Sequence, residues 1–443
     1  MITTSDTALD ANAITPTVKN VLLSAIKFDE SLYPRRDGHK PNLVQKYAET
    51  LDQIEAHKKY IAVAADGTLL DGRHRHLAYR TVANGEDREI PAFSYDVHDR
   101  GDMFDIAAQL NSTHGDQLSK QDKIDAAQKM YRQFGRTQDE IAQVLSASKT
   151  LVNDALRSIL ADERKARKKN VIDLWMRCET TAYIAEDENI DTKTVRNIIE
   201  EWGEKYRNTK FPMFEDDGWK APLYNIWNFH KLTNDSEHFG NSAQEIVDNL
   251  LYMYTEPFDI VLDPFAGGGS TIDVCKKRSR RYWVSDRKPI EARAGDIRQS
   301  DISEGPPPLH KRWSDVSLVY LDPPYWRQAQ NQYSQDPSDL ANMDLEQFYG
   351  TLVVYVKSLV SKLRKGAHIA LLIQPTQWSA DDRQVVDHVF DLVQRMTGST
   401  VQYKHRIICP YSTEQYNAQQ VTWAKDQREV LVLNRELIVW EVE

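Results

Sequence analysis

The stretch Asp259-Ile260-Val261-Leu262-Asp263-Pro264-Phe265-Ala266-Gly267-Gly268-Gly269-Ser270-Thr271 decides the fold of the C-terminal half. An apolar run of strand-forming residues enters an acid, then a Pro/Gly turn, then a segment able to form a helix. A buried strand, a glycine turn and a helix in that order open a parallel α/β sheet. The turn lets backbone N–H groups approach a ligand at the strand's C-terminal end. The glycine spacing excludes two common ligands. A dinucleotide fingerprint needs Gly at the first, third and sixth positions, and a triphosphate loop needs Gly-Lys-Ser/Thr. Neither pattern is here.

Working outward, short β-rich runs alternate with helical stretches from about 245 onward, as a doubly wound sheet requires. Strands are predicted near 259–264, 280–286, 316–322, 367–374, 400–409 and 429–434. The second, Arg281 to Asp286, ends in an acid where a carboxylate commonly grips ribose hydroxyls. The third, Val316 to Leu321, ends in Asp322-Pro323-Pro324-Tyr325-Trp326. Two prolines fix the backbone and remove two N–H donors, and an ionised Asp322 only accepts hydrogen bonds. Such a pocket of acceptors suits an amino group, and Tyr325 offers a flat face for a planar ring, as base-flipping enzymes require. Asp-Pro-Pro-Tyr alone would read as a turn; the upstream glycine loop makes it a site.

These two motifs together resemble the amino-methyltransferases of DNA, which modify adenine N6 or cytosine N4 with S-adenosyl-L-methionine. The resemblance covers roughly the last half of the chain. It implies a Rossmann-like domain over 211–443, with Asp322, Pro323, Pro324 and Tyr325 as the catalytic tetrapeptide. Asp263, Pro264, Phe265, Ala266, Gly267 and Gly269 then form the cofactor loop, and Asp286 and Asn241 also bind the cofactor. His238 to Asn241 and Ile246 to Tyr254 would cover the methionine moiety. The acid that meets the adenine ring is Asp301, followed by Gly305-Pro306, with Asp296 as the alternative. The loop precedes the tetrapeptide, unlike the class in which the order is reversed, and the short span from Asp286 to Asp301 implies a trimmed helix. Asp322 in place of Ser leans toward adenine, while the trailing Trp326 leans toward cytosine. Acceptors that hold the amino nitrogen toward the sulfonium methyl give direct transfer, with no metal.

Residues 101–207 read as helical, with a weak repeat. Ile141-Ala142 and Val152, then Leu156, recur as Ile184-Ala185 and Val195, then Ile199. Ser146-Ala147-Ser148 and Asp191-Thr192 would cap the second helix of each pair. This is helix-turn-helix spacing, as well as that of an ordinary helical hairpin. The basic run from Arg164 to Lys169 joins the two units, and Asp187-Glu188 weaken the second.

After a loose tail over 1–24, Asp71-Gly72-Arg73-His74-Arg75 stands between a strand and a helix, where N–H groups and Arg side chains can hold phosphate. On this run, residues 25–100 resemble the ParB and sulfiredoxin-like domain. Arg73 stands where the sulfiredoxin branch has its cysteine, which excludes that redox chemistry. Nucleotide binding, DNA contact and a structural role remain open for this run. His74 and His76 are too close for a metal pair and read as solvent-facing phosphate contacts. Trp219, Trp227 and Trp378 read as core, and the polar loop 327–342 as a lid over the flipped base or a surface loop.

Composition bounds the rest. The 443 residues are 41% hydrophobic and 28% charged, which excludes wholesale disorder. Sixty-six acids against 56 bases give −10, so any contact with DNA must come from a local basic face. Three scattered cysteines, Cys178, Cys275 and Cys409, give neither a disulfide framework nor a zinc site and fit a cytoplasmic protein. The N-terminus is not a secretory signal, and runs such as Ile369 to Ile373 are too short for a membrane. The expected partner is DNA, with a homodimer compatible. The alternative from another class is a non-enzymatic ParB-like DNA-binding regulator; an RNA methyltransferase is a further one.

Overall fold

A computed structural model of the chain describes residues 14–36, 38, 40–113, 117–204, 214, 218–229, 243–331, 335–377, 385–410 and 416–443. The chain is a mixed α/β protein that divides into two compact units between Ala166 and Arg167.

The first unit begins with β1 (Thr17–Leu22), α1 (Pro41–Glu49), α2 (Leu51–Ala56), β2 (Ile61–Ala64), β3 (Leu69–Asp71), α3 (Arg73–Ala83) and β4 (Glu89–Tyr95). The four strands form one sheet in the order β1-β4-β2-β3. The expected tail over 1–24 is thus corrected at its end. Thr17 to Leu22 pair antiparallel with β4, from Thr17 opposite Ser94 to Leu22 opposite Glu89. Strand β1 is an edge strand with no buried residue, so Val18, Val21 and Leu22 form no alternating core face that would declare it in the sequence. Helices α4 (Arg100–Thr113), α5 (Lys120–Phe134), α6 (Gln138–Val144) and α7 (Lys149–Met176) follow. Capping boxes at Ser119/Asp122 and Thr137/Glu140 start α5 and α6, and Gly135 ends α5 in the left-handed region. The turn from α6 to α7 passes through Ser146 at φ 44°, and the Ser148 hydroxyl accepts the Leu151 amide at 3.2 Å. The first predicted helix-turn-helix unit has this form.

The division of the chain falls inside α7, not at 207–211. The end of α7, with α8 (Thr181–Asp187) and α9 (Thr192–Glu204), belongs to the second unit. Val171, Ile184, Val195 and Ile198 are buried in the same core as Val261 and Tyr282. Asp191 caps α9 as expected, accepting the amides of Lys193 and Thr194. The basic run is not a linker but part of α7, and acids of its own neighbourhood meet it. Arg167 faces Glu188 at 3.7 Å, Lys168 meets Glu201 at 2.7 Å and Lys169 meets Asp173 at 2.7 Å.

The second unit continues through α10 (Gln244–Tyr254), β5 (Ile260–Asp263), α11 (Ser270–Lys277), β6 (Arg281–Asp286), β7 (Arg298–Gln299), β8 (Val316–Leu321), α12 (Leu345–Val360) and β9 (His368–Ile373). It ends with β10 (Thr376–Gln377), β11 (Val385–Val386), α13 (His388–Arg395), β12 (Val401–Pro410), α14 (Ala418–Gln427) and β13 (Asn434–Val442). Seven strands form a sheet in the order β12-β13-β9-β8-β5-β6-β7. Strands β5 to β9 run parallel, and β13 is antiparallel to both β9 and β12. The pleat sorts the side chains onto two cores. Val261, Leu318, Tyr320, Ala370 and Leu437 join one, while Ile260, Leu262, Val319, Ile369 and Ile438 join the other. The final strand is corrected from 429–434 to Asn434–Val442, and α14 occupies the connection between β12 and β13.

Candidate active site

Strand β5 lies between β6 and β8, so the chain leaves β5 for one side of the sheet and reaches β8 on the other. A crevice opens at such a switch point beyond the C-terminal strand ends. Here it is a cavity of about 370 Å³, lined from three directions. The turn after β5 gives Asp263 to Gly268, the end of β6 gives Asp286, Arg287 and Lys288, and the end of β8 gives Asp322 and Pro324. Ser300 to Ser303 and residues Ser338, Asp339, Leu340 and Met343 close the remaining walls.

The glycine turn is built by its acids. Asp263 accepts the Phe265 amide at 2.9 Å and the Thr271 hydroxyl at 2.6 Å, which bends the chain back over the strand end. Burial pushes its carboxyl up to about 7, opposed by the Thr271 and Phe265 hydrogen bonds and reinforced by the nearby Asp322 and Asp286. Asp286 accepts the Gly267 amide at 3.0 Å, and the Ala266 amide donates to the Ser285 carbonyl at 2.9 Å. The turn is therefore stitched to β6. Gly269 has φ 82° and caps α11; a Cβ there would meet Ile272 Cδ1 at 3.2 Å. It shapes the turn but is not on the cavity wall, where Gly268 takes the place expected of it.

The structure separates the two alternative acids. Asp301 lines the cavity, accepting the Ser303 amide at 2.9 Å and pairing with Arg287 at 3.1 Å. Asp296 is turned to Lys276 Nζ and the Tyr282 hydroxyl, each at 2.9 Å, and is not on the wall. Sequence reasoning missed Arg287, which also reaches Asp336 at 2.6 Å and the Ser338 hydroxyl at 3.1 Å. It also missed Asp339 on the wall. Only the polar loop 327–342 signalled this side, and its described second half forms a wall.

In the tetrapeptide, Asp322 and Pro324 face the cavity, Pro323 is buried, and the Tyr325 hydroxyl donates to Asp322. Trp326 is 2% exposed, and its indole donates to the Met343 carbonyl at 2.9 Å. Its identity is set by packing. Trp227 is core as expected, Trp219 packs against that core, and Trp378, with His238 to Asn241, lies outside the described residues.

In the first unit the run from Asp71 to Arg75 is largely engaged within the protein. Arg75 pairs with Asp71 at 2.6 Å and donates to the Lys59 carbonyl, and His74 accepts the Lys40 amide at 2.9 Å. The Arg73 guanidinium lies 4.2 Å and 5.0 Å from the Phe28 and Tyr33 ring centroids. Gly72 has φ 93°, and a Cβ there would press Ile61 Cγ2 at 2.9 Å, so packing alone demands glycine. His76 is corrected from solvent-facing to buried, with Nε2 unpartnered, and burial drives it down to about 4.

Among the described residues no group of His, Cys, Asp and Glu could hold a metal, and no helix is long and apolar enough to cross a membrane.

A family described as DNA methylase, of the N6/N4 kind, matches residues 112–292, a span that holds the glycine turn and stops before Asp322. The chain is 32% identical over 85 residues to the type II methyltransferase M.BglII of Bacillus subtilis, covering 18% of this chain and 23% of that protein. It is 33% identical over 67 residues to the type II methyltransferase M.XycI of Xanthomonas campestris pv. cyanopsidis, covering 15% and 22%. The chain thus spans less than a quarter of the length of these two relatives. The solved C-terminally truncated chromosome-partitioning protein ParB of Caulobacter crescentus, complexed to the centromeric parS site, aligns with TM-score 0.24 and 16% identity. That alignment covers 41% of this chain and 99% of that one.

Proposed function

We propose that the protein transfers a methyl group from S-adenosyl-L-methionine to an exocyclic amino group of DNA, adenine N6 ahead of cytosine N4. One observation carries the reading: the glycine turn after β5 and the Asp322 turn after β8 open into the same cavity. The cofactor fits the donor set. Asp263, Asp286, Asp301, Asp322 and Asp339 surround the cavity, against Arg287 and Lys288. An acid-rich wall favours a ligand carrying a sulfonium and an ammonium.

Asp286 and Asp301 would hold the ribose and adenine, and the turn from Asp263 to Gly268 the remainder. When bound, the cofactor would supply an electrophilic methyl and leave as neutral S-adenosylhomocysteine, with one amino proton lost to solvent. Asp322 accepts from the target amino group and holds its lone pair toward that methyl, Pro323 contributes its carbonyl, and the Tyr325 ring stacks on the base. This is catalysis by alignment, which supplies at best about 7–11 kcal/mol of the barrier. Asp322 in the lead position supports adenine. Trp326, the signal toward cytosine, is a core side chain, which weakens that signal.

DNA contact is assigned in part to α6 and the start of α7, in the first unit. The Asp71–Arg75 run fits a structural role, with nucleotide binding as its alternative. Mass spectrometry of nucleosides from cells expressing the protein tests the main reading. N6-methyladenine is expected; N4-methylcytosine alone overturns the adenine preference, and neither product overturns the activity.

A further inference from the structure

Behind the catalytic turn runs a buried polar row that the transfer reaction does not itself use. Tyr349 of α12, Thr376 of β10 and His388 at the start of α13 are 1%, 2% and 0% exposed. The Tyr349 hydroxyl lies 2.9 Å from His388 Nδ1, and the Thr376 hydroxyl lies 2.9 Å from His388 Nε2. The same Thr376 oxygen is 3.1 Å from the carbonyl oxygen of Trp326.

The Trp326 carbonyl sets the direction of the row from its end. The Trp326 carbonyl can only accept, so the Thr376 hydroxyl donates to it. Thr376 must then accept from the imidazole, which places the ring proton on Nε2. Nδ1 is left as an acceptor and takes the Tyr349 proton. These directions hold for the neutral ring, which burial favours. Burial drives His388 down to about 4, with Asp387 opposing. The Trp326 and Phe348 rings pack against the imidazole at 6.0 Å and 5.8 Å, and Arg395 covers the far face of the row at Tyr349.

The row ends on the residue that follows the tetrapeptide. The Trp326 carbonyl also accepts the Gln328 amide at 2.8 Å, the Ala329 amide donates to the Tyr325 carbonyl at 3.2 Å, and the Gln328 side chain donates to the Pro375 carbonyl at 2.9 Å. Resting on the transfer function proposed above, we propose that His388 is a positioning residue. Through Thr376 it fixes the Trp326 carbonyl, and with it the seat of the Asp322–Tyr325 turn, so that it acts on the transfer step and not on cofactor binding.

The test uses the full chain with Thr376→Val, Thr376→Ser, His388→Leu, His388→Gln and Tyr349→Phe. Thr376→Val keeps the side-chain shape and removes only the hydroxyl, so it stays informative if His388→Leu fails to fold. Thr376→Val is expected to lower kcat about tenfold, the scale of one buried hydrogen bond, with KM for S-adenosyl-L-methionine unchanged. Hydrogen exchange of the amides over 327–329 should quicken in the same variant. Thr376→Ser and His388→Gln, which restore a hydroxyl and an Nε donor, should recover most of both. Wild-type kcat or unchanged exchange in Thr376→Val overturns the proposal, as does a loss confined to KM. If the wild type methylates no DNA while exchange still quickens in Thr376→Val, the transfer reading fails and the positioning role stands.

Discussion

The hydroxyl of Tyr325 donates to Oδ1 of Asp322 at 2.9 Å, and the Tyr320 hydroxyl stands 3.3 Å from Oδ2. Two phenols orient one carboxylate, and under the proposed function an incoming amino group would compete with the Tyr325 hydroxyl for it. Asp322→Ala should therefore abolish transfer while S-adenosyl-L-methionine and DNA still bind. Tyr325→Phe keeps the stacking face and should cost at most about tenfold. Tyr325→Ala also loses stacking worth roughly 1–3 kcal/mol and should cost more. Tritium transfer from labelled cofactor reads all three. More than a tenth of wild-type activity in Asp322→Ala sinks the assignment.

The three acids near the glycine turn make separable predictions. Asp286→Ala removes the acceptor of the Gly267 amide as well as a cavity carboxylate, so it should weaken cofactor binding most. Asp301→Ala should weaken it less, and frees Arg287 from one of its two acidic partners. Asp296→Ala should leave cofactor affinity within about twofold, because its oxygens face Lys276 and Tyr282 instead. Calorimetric titration of the three variants is the measurement. An Asp296→Ala loss as large as that of Asp301→Ala would reverse the order.

How much of this was legible beforehand follows from what each residue reports. The strand from Ile260 to Asp263 and the turn after it carry their signal locally, in apolar run, acid and glycine. The β13 strand was placed too early, because polar Asn434 to Glu436 open it and the turn signals end before them. The local cue for Asp301 is the Gly305-Pro306 that follows it, and Asp301 lies on the cavity wall. Arg287 and His388 could not be found, because an arginine or a lone histidine acquires meaning only from partners distant in sequence: Asp336 for one, Tyr349 for the other. For the helix pair α8–α9, spacing beside the basic run leaves a helix-turn-helix unit and an ordinary helical hairpin both open. Spacing reports that two helices pack together, and cannot report that their apolar faces also cover a sheet.

Asp263 gives the cofactor affinity a pH dependence. Its carboxyl is pushed up to about 7 by burial, so near neutrality it is partly protonated. A cationic ligand favours the ionised form and lowers that value on binding. Binding therefore releases protons, and affinity rises with pH through the window around 7, by at most tenfold per unit for one proton. S-adenosylhomocysteine, which lacks the sulfonium charge, should show a shallower rise. Asp263→Asn should flatten both. Titrations between pH 6 and pH 8 decide it, and a flat profile for the wild type removes Asp263 as the titrating group.

The last prediction concerns where the second unit begins. A fragment starting near 211 would remove Val171, Ile184, Val195 and Ile198 from the core that also holds Val261 and Tyr282. Arg298 and Arg312 would lose the carbonyls of Arg177 and Glu179, to which they donate at 2.8 Å and 2.6 Å. Each buried aliphatic side chain contributes about 1.5–3 kcal/mol, so the loss approaches the whole stability of a typical domain, roughly 5–15 kcal/mol. A fragment over 211–443 should be insoluble or melt well below the full chain. One over 167–443 should melt cooperatively and bind S-adenosyl-L-methionine. With the first unit gone, that longer fragment should bind DNA more weakly, and its affinity should fall less steeply with salt, because fewer phosphate contacts release fewer counterions. The basic run cannot restore that slope, since Arg167, Lys168 and Lys169 already face acids of their own unit. If 167–443 methylates the same sites as efficiently as the full chain, DNA recognition resides in the second unit, and α6 with the start of α7 serves another purpose.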